Sequence, residues 1–393
     1  MKHSLILAAA ALAALAAVPL AAQTQTVKVG IIAPMTGGSA DWGVQFRNCI
    51  QIYQSQFGDT VAGSKVEVIY RDTGGANPSL AKKHAEELIV NDKVSVLGGF
   101  FFSPNAFAVS PVLTQAKIPG VIFVAATPSI TQTSPYWVRT GYTSWQSAVP
   151  MAQWAYKQGI RRVYIAVQDF APGHSVQEGF KTAFTRLGGT ILGEDRMAMN
   201  TADFAPFVQR IADARPEAVY MFLSPGPSSI AFLKAIEAAR LKERGVKILG
   251  VAETDDQELE SVGAVAKGVH SALHYAVSLP SDLNQNFVRS VTSRFPKDGP
   301  PHAGCVGAYD GMRVIYRMIE QGKGTIDDKA VDSVKGFSWQ SPRGPVSIDP
   351  ETRDIVQNIY IRTVEEGSGG KLFNRVVETF PAVKDPWKEA QKK

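Results

Sequence analysis

The sequence predicts an α/β fold with two Rossmann-like lobes, each a parallel sheet flanked by helices. Between residues 27 and 126, short β-branched runs alternate with helical stretches, and the alternation restarts at residue 161. Such alternation is typical of a parallel sheet with helices on both faces. The 393 residues suffice for two domains of ordinary size, and a chain that is 45% hydrophobic and 20% charged is globular.

The N-terminal residues 1–22 have the features of a secretory signal peptide. Lys2 precedes an apolar, alanine-rich core that ends in the small residues Ala21 and Ala22. We expect cleavage near Ala22 and an exported mature chain. No later stretch is long and apolar enough to span a membrane, and the absence of a cysteine at the cleavage region argues against a lipid anchor.

The first lobe is predicted from seven alternating elements. VKVGIIA (27–33) is a β-branched run between polar and turn residues, which indicates a buried strand. The elements that follow are a helix over 44–57, a strand over 65–72, a helix starting at Asn77-Pro78-Ser79, a strand over 94–100, a helix over 105–116 and a strand over 119–126.

The aromatic run Phe100-Phe101-Phe102 stands between the 94–100 strand and Ser103. We interpret it as a buried strand that runs to the edge of the lobe and presents Ser103 there. Strand alternation would send Phe101 and Phe102 to opposite faces, and we expect Phe102 to face the cleft together with Trp42.

The second lobe repeats the pattern. Its predicted elements are strands over 161–169, 189–197, 217–223 and 246–252 and helices over 173–188, 203–214 and 228–242. Two helices, 283–295 and 304–321, and a strand over 354–364 follow. The polar tail, 381–393, is expected to fray.

Charge and cysteine content exclude several classes of protein. The net charge of +5 is mild and no block of like charge or basic-aromatic stripe indicates nucleic-acid binding. We expect Cys49 and Cys305 to be buried small hydrophobic residues and not a disulfide, because they lie far apart in the sequence, although an exported chain permits the bond. No cluster of His or Asp residues lies near either cysteine, so a metal site is not indicated.

The loops after the strands are the expected ligand site, because open α/β sheets bind ligands beyond the carboxyl ends of their strands. Helix N-termini there offer free N–H groups and a positive dipole end, which suit a carboxylate. Ser103 and the Ala126-Thr127 pair before Ser129 are the best donors; the alternative is that both serines only cap helices. GxSxG, HExxH and Walker A motifs are absent, so we expect neither an enzyme nor a cofactor.

Three stretches resemble the periplasmic solute-binding proteins of branched-chain amino acid ABC transporters: VGIIAPMTGGSADWG, YRDTGGANPSLAKKHAEELIVNDKVSVLGG and RRVYIAVQDFAPG. The resemblance covers roughly residues 26–365. It implies the type I periplasmic binding fold, in which a three-segment hinge joins the lobes and closes them on a ligand. The implied lobes are 26–142 plus 277–345 and 143–276 plus 346–380, with crossings near Arg139–Thr143, Ala276–Pro280 and Pro345–Asp349.

The resemblance also implies a set of site residues. In the first lobe, Ser103 with Ala126, Thr127 and Ser129 would hold a carboxylate, and Trp42 would cover the ligand. In the second lobe the sequence departs from the family, since Pro172 replaces an aromatic residue, with Phe170 two places earlier, and no Tyr stands near Ser224. Glu253 or Asp255 would bind the ammonium group of an amino acid.

The predicted ligand is a hydrophobic amino acid with a branched or aromatic side chain. We expect the chain to act in the periplasm as a monomer and to deliver this ligand to an ABC permease of the inner membrane. A buried ammonium without a partner is costly, and the acceptor is not secured. An aromatic or branched carboxylic acid without an amine therefore stays an alternative, as does a ligand sensor with a separate signalling partner.

Overall fold

A computed structural model describes residues 25–392, and two sheets organise this part of the chain. The predicted signal peptide lies outside the described residues. Within them, no helix combines the length and apolar character needed to cross a membrane.

The first sheet has six strands in the order β2-β3-β1-β4-β5-β6, and all neighbours are parallel except the β2–β3 pair. The strands are β1 (Thr26–Ala33), β2 (Thr60–Val61), β3 (Ser64–Asp72), β4 (Val96–Gly99), β5 (Gly120–Ile122) and β6 (Trp137–Arg139). The helices between them are α1 (Ala40–Phe57), α2 (Pro78–Val90) and α3 (Ser103–Ala116).

The second sheet has nine strands, with β7, β8, β9, β10 and β11 parallel and the last four antiparallel. The strands are β7 (Arg162–Gln168), β8 (Thr190–Met197), β9 (Ala218–Phe222), β10 (Lys247–Gly250), β11 (His270–Leu273), β12 (Ser338–Ser341), β13 (Gly344–Ile348), β14 (Ile355–Glu366) and β15 (Leu372–Val383). Its helices are α4 (Ser144–Lys157), α5 (Ala171–Arg186), α6 (Ala205–Ala214), α7 (Pro227–Ala238) and α8 (Leu259–Val262).

The chain passes between the two lobes three times. After β11 it returns to the first lobe as α9 (Asp282–Arg294) and α10 (Ala303–Gln321), which pack on α1. It then enters β12 to β15 and ends in α11 (Pro386–Gln391). The predicted two-lobed α/β fold is confirmed, while the residue boundaries of the lobes stay a prediction.

The strand before the aromatic run is shorter than predicted. Strand β4 ends at Gly99, where φ is 104°, and Phe100 follows with φ of 65°, so the backbone leaves the extended region. The Phe100 ring packs edge-on against Trp137 in the core at 4.9 Å between centroids. The prediction that all three Phe residues belong to a strand with alternating faces is wrong: Phe101 and Phe102 both face the cleft.

Cys49 and Cys305 form a disulfide, which corrects the expectation that they stay unpaired. The two residues are 256 positions apart, but α1 and α10 pack against each other and bring their Cα atoms to 5.3 Å. Both side chains are fully buried. The bond therefore crosslinks the two parts of the first lobe that the second lobe separates in sequence.

The C-terminal tail is ordered, so the expectation of fraying is wrong. Strand β15 runs to Val383, and α11 places Lys388 in the interior with 4% of its surface exposed. Its ammonium group pairs with Asp354 and donates to Thr131. Asp354 also pairs with the buried Arg139 on the first crossing at 3.4 Å. The tail therefore packs against the segment through which the chain first passes from one lobe to the other.

Candidate ligand-binding cleft

A small cavity of about 30 Å³ lies between the two lobes, at the carboxyl ends of their strands. Most of its wall is apolar, and aromatic rings from both lobes contribute. The lining residues are Trp42, Phe101, Phe102, Val124 and Ala126 from the first lobe, Tyr142 from the first crossing, and Phe170, Pro172, Phe222, Ser224, Pro225 and Ala252 from the second lobe.

The aromatic rings of the wall pack against one another, and Trp42 also packs against His302, which does not line the cavity. Trp42 lies in the first turn of α1, where its ring contacts Phe101 at 4.8 Å and His302 at 4.1 Å between centroids. In the second lobe, Phe170 and Phe222 stack at 6.0 Å with an interplanar angle of 18°. Rings on both sides favour a flat apolar or aromatic ligand.

The polar end of the cleft lies in the first lobe. Ser103 is the first residue of α3, a fully buried position where backbone N–H groups lack helical partners. Its Oγ accepts a hydrogen bond from the Thr127 N–H at 3.2 Å, so its own proton can still be donated. Thr127 Oγ1 is buried and has no partner among the described residues. These donors can hold an anion beside Phe102 and Ala126.

Ser129 lies apart from this cluster. It belongs to a short 3₁₀ helix, Pro128–Gln132, is half-buried, and does not line the cavity. Ser103 and Thr127 are not lining residues either, but each directly follows one, Phe102 and Ala126 respectively.

The two candidate partners for an ammonium group are engaged elsewhere. Glu253 accepts backbone hydrogen bonds from Leu223 at 2.9 Å and Val251 at 2.6 Å, and burial raises its pKa to about 7. Asp255 pairs with the buried Arg362 at 2.7 Å and accepts the Ala303 N–H at 2.9 Å. Neither carboxyl group lines the cavity. Only the neighbouring Ala252 does.

The mouth of the cleft is closed by a contact between two glycine loops. Gly226 has φ of 118°, and a Cβ atom there would lie 2.8 Å from the carbonyl oxygen of Gly38 in the opposite lobe. A Cβ atom added at Gly38 would lie 3.8 Å from Cδ of Pro227. The lobes therefore meet backbone to backbone at the rim.

Six residues that line the cavity were not predicted from the sequence: Phe101, Val124, Tyr142, Phe222, Pro225 and Ala252. Tyr142 could have been found, because it lies within the predicted first crossing, Arg139–Thr143. Burial raises the pKa of Tyr142 above its usual value, with the nearby Glu253 and Asp255 adding to the effect, so its hydroxyl stays neutral. Phe222 could have been found as the second-last residue of the predicted 217–223 strand.

Comparisons with known proteins agree with this geometry. A family model described as periplasmic binding protein matches residues 26–371. The Leu/Ile/Val-binding protein homolog 6 of Brucella melitensis biotype 1 is 42% identical over 387 residues, which cover 98% of this chain and 99% of that protein.

Two solved structures carry aromatic acids. The solute-binding protein of an ABC transporter from Rhodopseudomonas palustris HaA2, in complex with p-hydroxybenzoic acid, is 43% identical with a TM-score of 0.91 and covers 93% of this chain and 100% of its own. Its counterpart from strain BisB5, with 3,4-dihydroxybenzoic acid, is 44% identical with a TM-score of 0.88, covering 92% and 99%.

Proposed function

The chain belongs to the periplasmic binding protein family of ABC-transporter solute-binding proteins, and from this premise we propose that it binds an aromatic carboxylic acid without an amino group. Proteins of this family bind a ligand and do not transform it, which confirms the prediction that the chain is not an enzyme.

The observation that carries the proposal is the commitment of Glu253 and Asp255. Each carboxyl group already has two partners inside the protein. An ammonium group in this apolar cavity would lack an anionic acceptor, and burying an unpaired charge is expensive. A carboxylic acid without an amino group carries no ammonium charge, so it avoids this cost.

The remaining features suit an aromatic acid. We assign the carboxylate to the Ser103 hydroxyl, the start of α3 and the Ala126–Thr127 segment. The ring would lie between Trp42 and Phe102 on one side and, on the other, Phe170 with Pro172 and Ser224. Two relatives at 43% and 44% identity were crystallised with hydroxybenzoic acids, which supports this class of ligand.

A hydrophobic amino acid is the second candidate. The resemblance to branched-chain amino acid receptors favours it, and so does the name of the Brucella relative at 42% identity. It requires that Glu253 or Asp255 exchange a present partner for the ammonium group. Ser129, which does not line the cavity, has no role in either arrangement.

We further propose that the mature chain acts in the periplasm as a monomer, after cleavage near Ala22, and delivers its ligand to an ABC permease in the inner membrane. The family supports a transporter partner in general. The signal-like N-terminal sequence supports export.

Isothermal titration calorimetry with ligand pairs that differ only in the amine tests the proposal. The pairs are 3-phenylpropionate with phenylalanine and 4-methylpentanoate with leucine, and benzoate and 4-hydroxybenzoate complete the set. We expect binding of the acids, with benzoates tightest, and none of the amino acids. Binding of phenylalanine or leucine in preference to its amine-free partner would overturn the proposal.

A further inference from the structure

The cavity wall carries very few polar side chains. Of the twelve lining residues only Trp42, Tyr142 and Ser224 have a polar side-chain atom. Trp42 Nε1 is buried, and Tyr142, on the first crossing, is 4% exposed. An acid held at the start of α3 in the first lobe would point the far end of its ring toward the second lobe, where Ser224 carries the one hydroxyl group among the lining residues.

The position of Ser224 is fixed from behind. Its backbone N–H donates to Gln168 Oε1 at 2.8 Å, and Gln168, at the end of β7, is 2% exposed. Phe222 and Pro225 flank it on the cavity wall. The side chain is half-buried, and no hydrogen bond within residues 25–392 engages its hydroxyl, which is therefore available to a ligand.

We propose that Ser224 is the specificity-determining residue that distinguishes ring-hydroxylated benzoates from benzoate. A phenolic hydroxyl at the far end of the ring would donate to Ser224 Oγ, whereas every other group on that wall is apolar. A site that hydrogen-bonds a ligand hydroxyl disfavours the analogue that lacks it. The inference rests on the proposed function, since it places the carboxylate in the first lobe.

Tyr142 is the competing hydroxyl. It neighbours the carboxylate end, because Ser144 ties this segment to the Ala126 carbonyl at 2.8 Å. We therefore assign the ring hydroxyl to Ser224.

The test is calorimetric titration of benzoate, 3-hydroxybenzoate and 4-hydroxybenzoate into the wild type, Ser224→Ala and Ser224→Thr. We expect the wild type to prefer 4-hydroxybenzoate to benzoate by about three- to tenfold, the worth of one hydrogen bond. Ser224→Ala should lose this preference with its benzoate affinity unchanged, and Ser224→Thr, which keeps a hydroxyl, should retain it.

Tyr142→Phe and Ser129→Ala are the matched controls, and both should keep the preference. Loss of the preference in Tyr142→Phe but not in Ser224→Ala would assign the hydroxyl to Tyr142 and overturn the inference. Equal weakening of both ligands by Ser224→Ala would also overturn it. If the wild type binds all three acids equally, only this inference fails; if it binds amino acids instead, the proposed function fails as well.

Discussion

At the scale of single residues, Ser103 combines two roles, because its Oγ accepts the Thr127 N–H and its own proton stays available for the proposed carboxylate. Ser103→Ala should weaken binding of benzoates by about 1–3 kcal/mol, through the loss of a charge-assisted hydrogen bond. Titration calorimetry measures the change directly.

Ser110→Ala is the appropriate control for this substitution. Ser110 is a buried serine of the same helix, hydrogen-bonded to Ala106, Thr133 and Trp137 away from the cavity. Its replacement should lower the melting temperature and leave affinity unchanged. If Ser103→Ala lowered stability but not affinity, as expected for Ser110→Ala, Ser103 would be a structural residue only.

Glu258 should make stability depend on pH. Burial, with repulsion from Asp255 as the second cause, raises the pKa of this carboxyl group from 4.5 to about 7. Between these values the folded state binds more protons than the unfolded state, so the free energy of unfolding falls as pH rises through the window. The loss should reach up to about 3 kcal/mol.

Guanidinium unfolding at pH 5 and pH 8 tests this dependence. Glu258→Gln should reduce the difference between the two pH values without abolishing it, because Glu253, whose pKa burial also raises to about 7, contributes to the same difference. Glu260→Gln, at an exposed position of the same segment, should preserve the full difference. An unchanged pH dependence in Glu258→Gln would show that other groups cause it.

Residue types alone could not assign the two acidic candidates. Glu253 and Asp255 were predicted as ammonium partners because carboxylates stand at the right place in the chain. Their commitment to Leu223, Val251 and Arg362 depends on contacts across 2 to 107 positions. Trp42 and Ser103 could be placed beside the cleft from the sequence because each stands in the first turn of a helix that follows a strand, where the fold class places the ligand.

At the scale of secondary-structure elements, the disulfide between α1 and α10 is the main covalent support. Replacing Cys49 and Cys305 together by alanine should lower the free energy of unfolding by about 2–4 kcal/mol, the usual range for a native disulfide. Chemical denaturation measures this loss. A double variant as stable as the wild type would mean that helix packing alone holds the pair together.

The order of elements followed from hydrophobic periodicity, but several ends did not. Strand β4 stops at Gly99 because Gly99 and Phe100 adopt positive φ, and neither a Phe run nor its hydrophobicity reveals such a turn. Helix α4 was missed altogether, although Thr143 and Gln146 form a capping box at its start. Pro150 inside that helix obscures the helical pattern.

At the scale of the whole molecule, the rim contact should control closure of the lobes. Gly226→Ala would place a methyl group against the Gly38 carbonyl, 2.8 Å away, and hold the lobes apart. Affinity for benzoates should fall by about tenfold or more, since fewer molecules reach the binding-competent closed state. Small-angle scattering with saturating ligand should show a larger radius of gyration than for the wild type.

Gly263→Ala is the control that separates an effect on lobe closure from an effect of backbone strain. Gly263 also has positive φ, 70°, but a Cβ there meets no atom within 4 Å. It should therefore lose stability without losing affinity. Equal effects of the two substitutions on affinity would contradict a role for the rim.

The buried tail has a practical consequence for producing the protein. The family match stops at residue 371, which invites trimming an expressed fragment there. Such a fragment would lack all of β15 and α11, and with them the Lys388 ammonium that neutralises Asp354 beside Arg139. Expression vectors should therefore encode the chain at least through Gln391. A C-terminal purification tag should follow that residue and should not replace any part of α11.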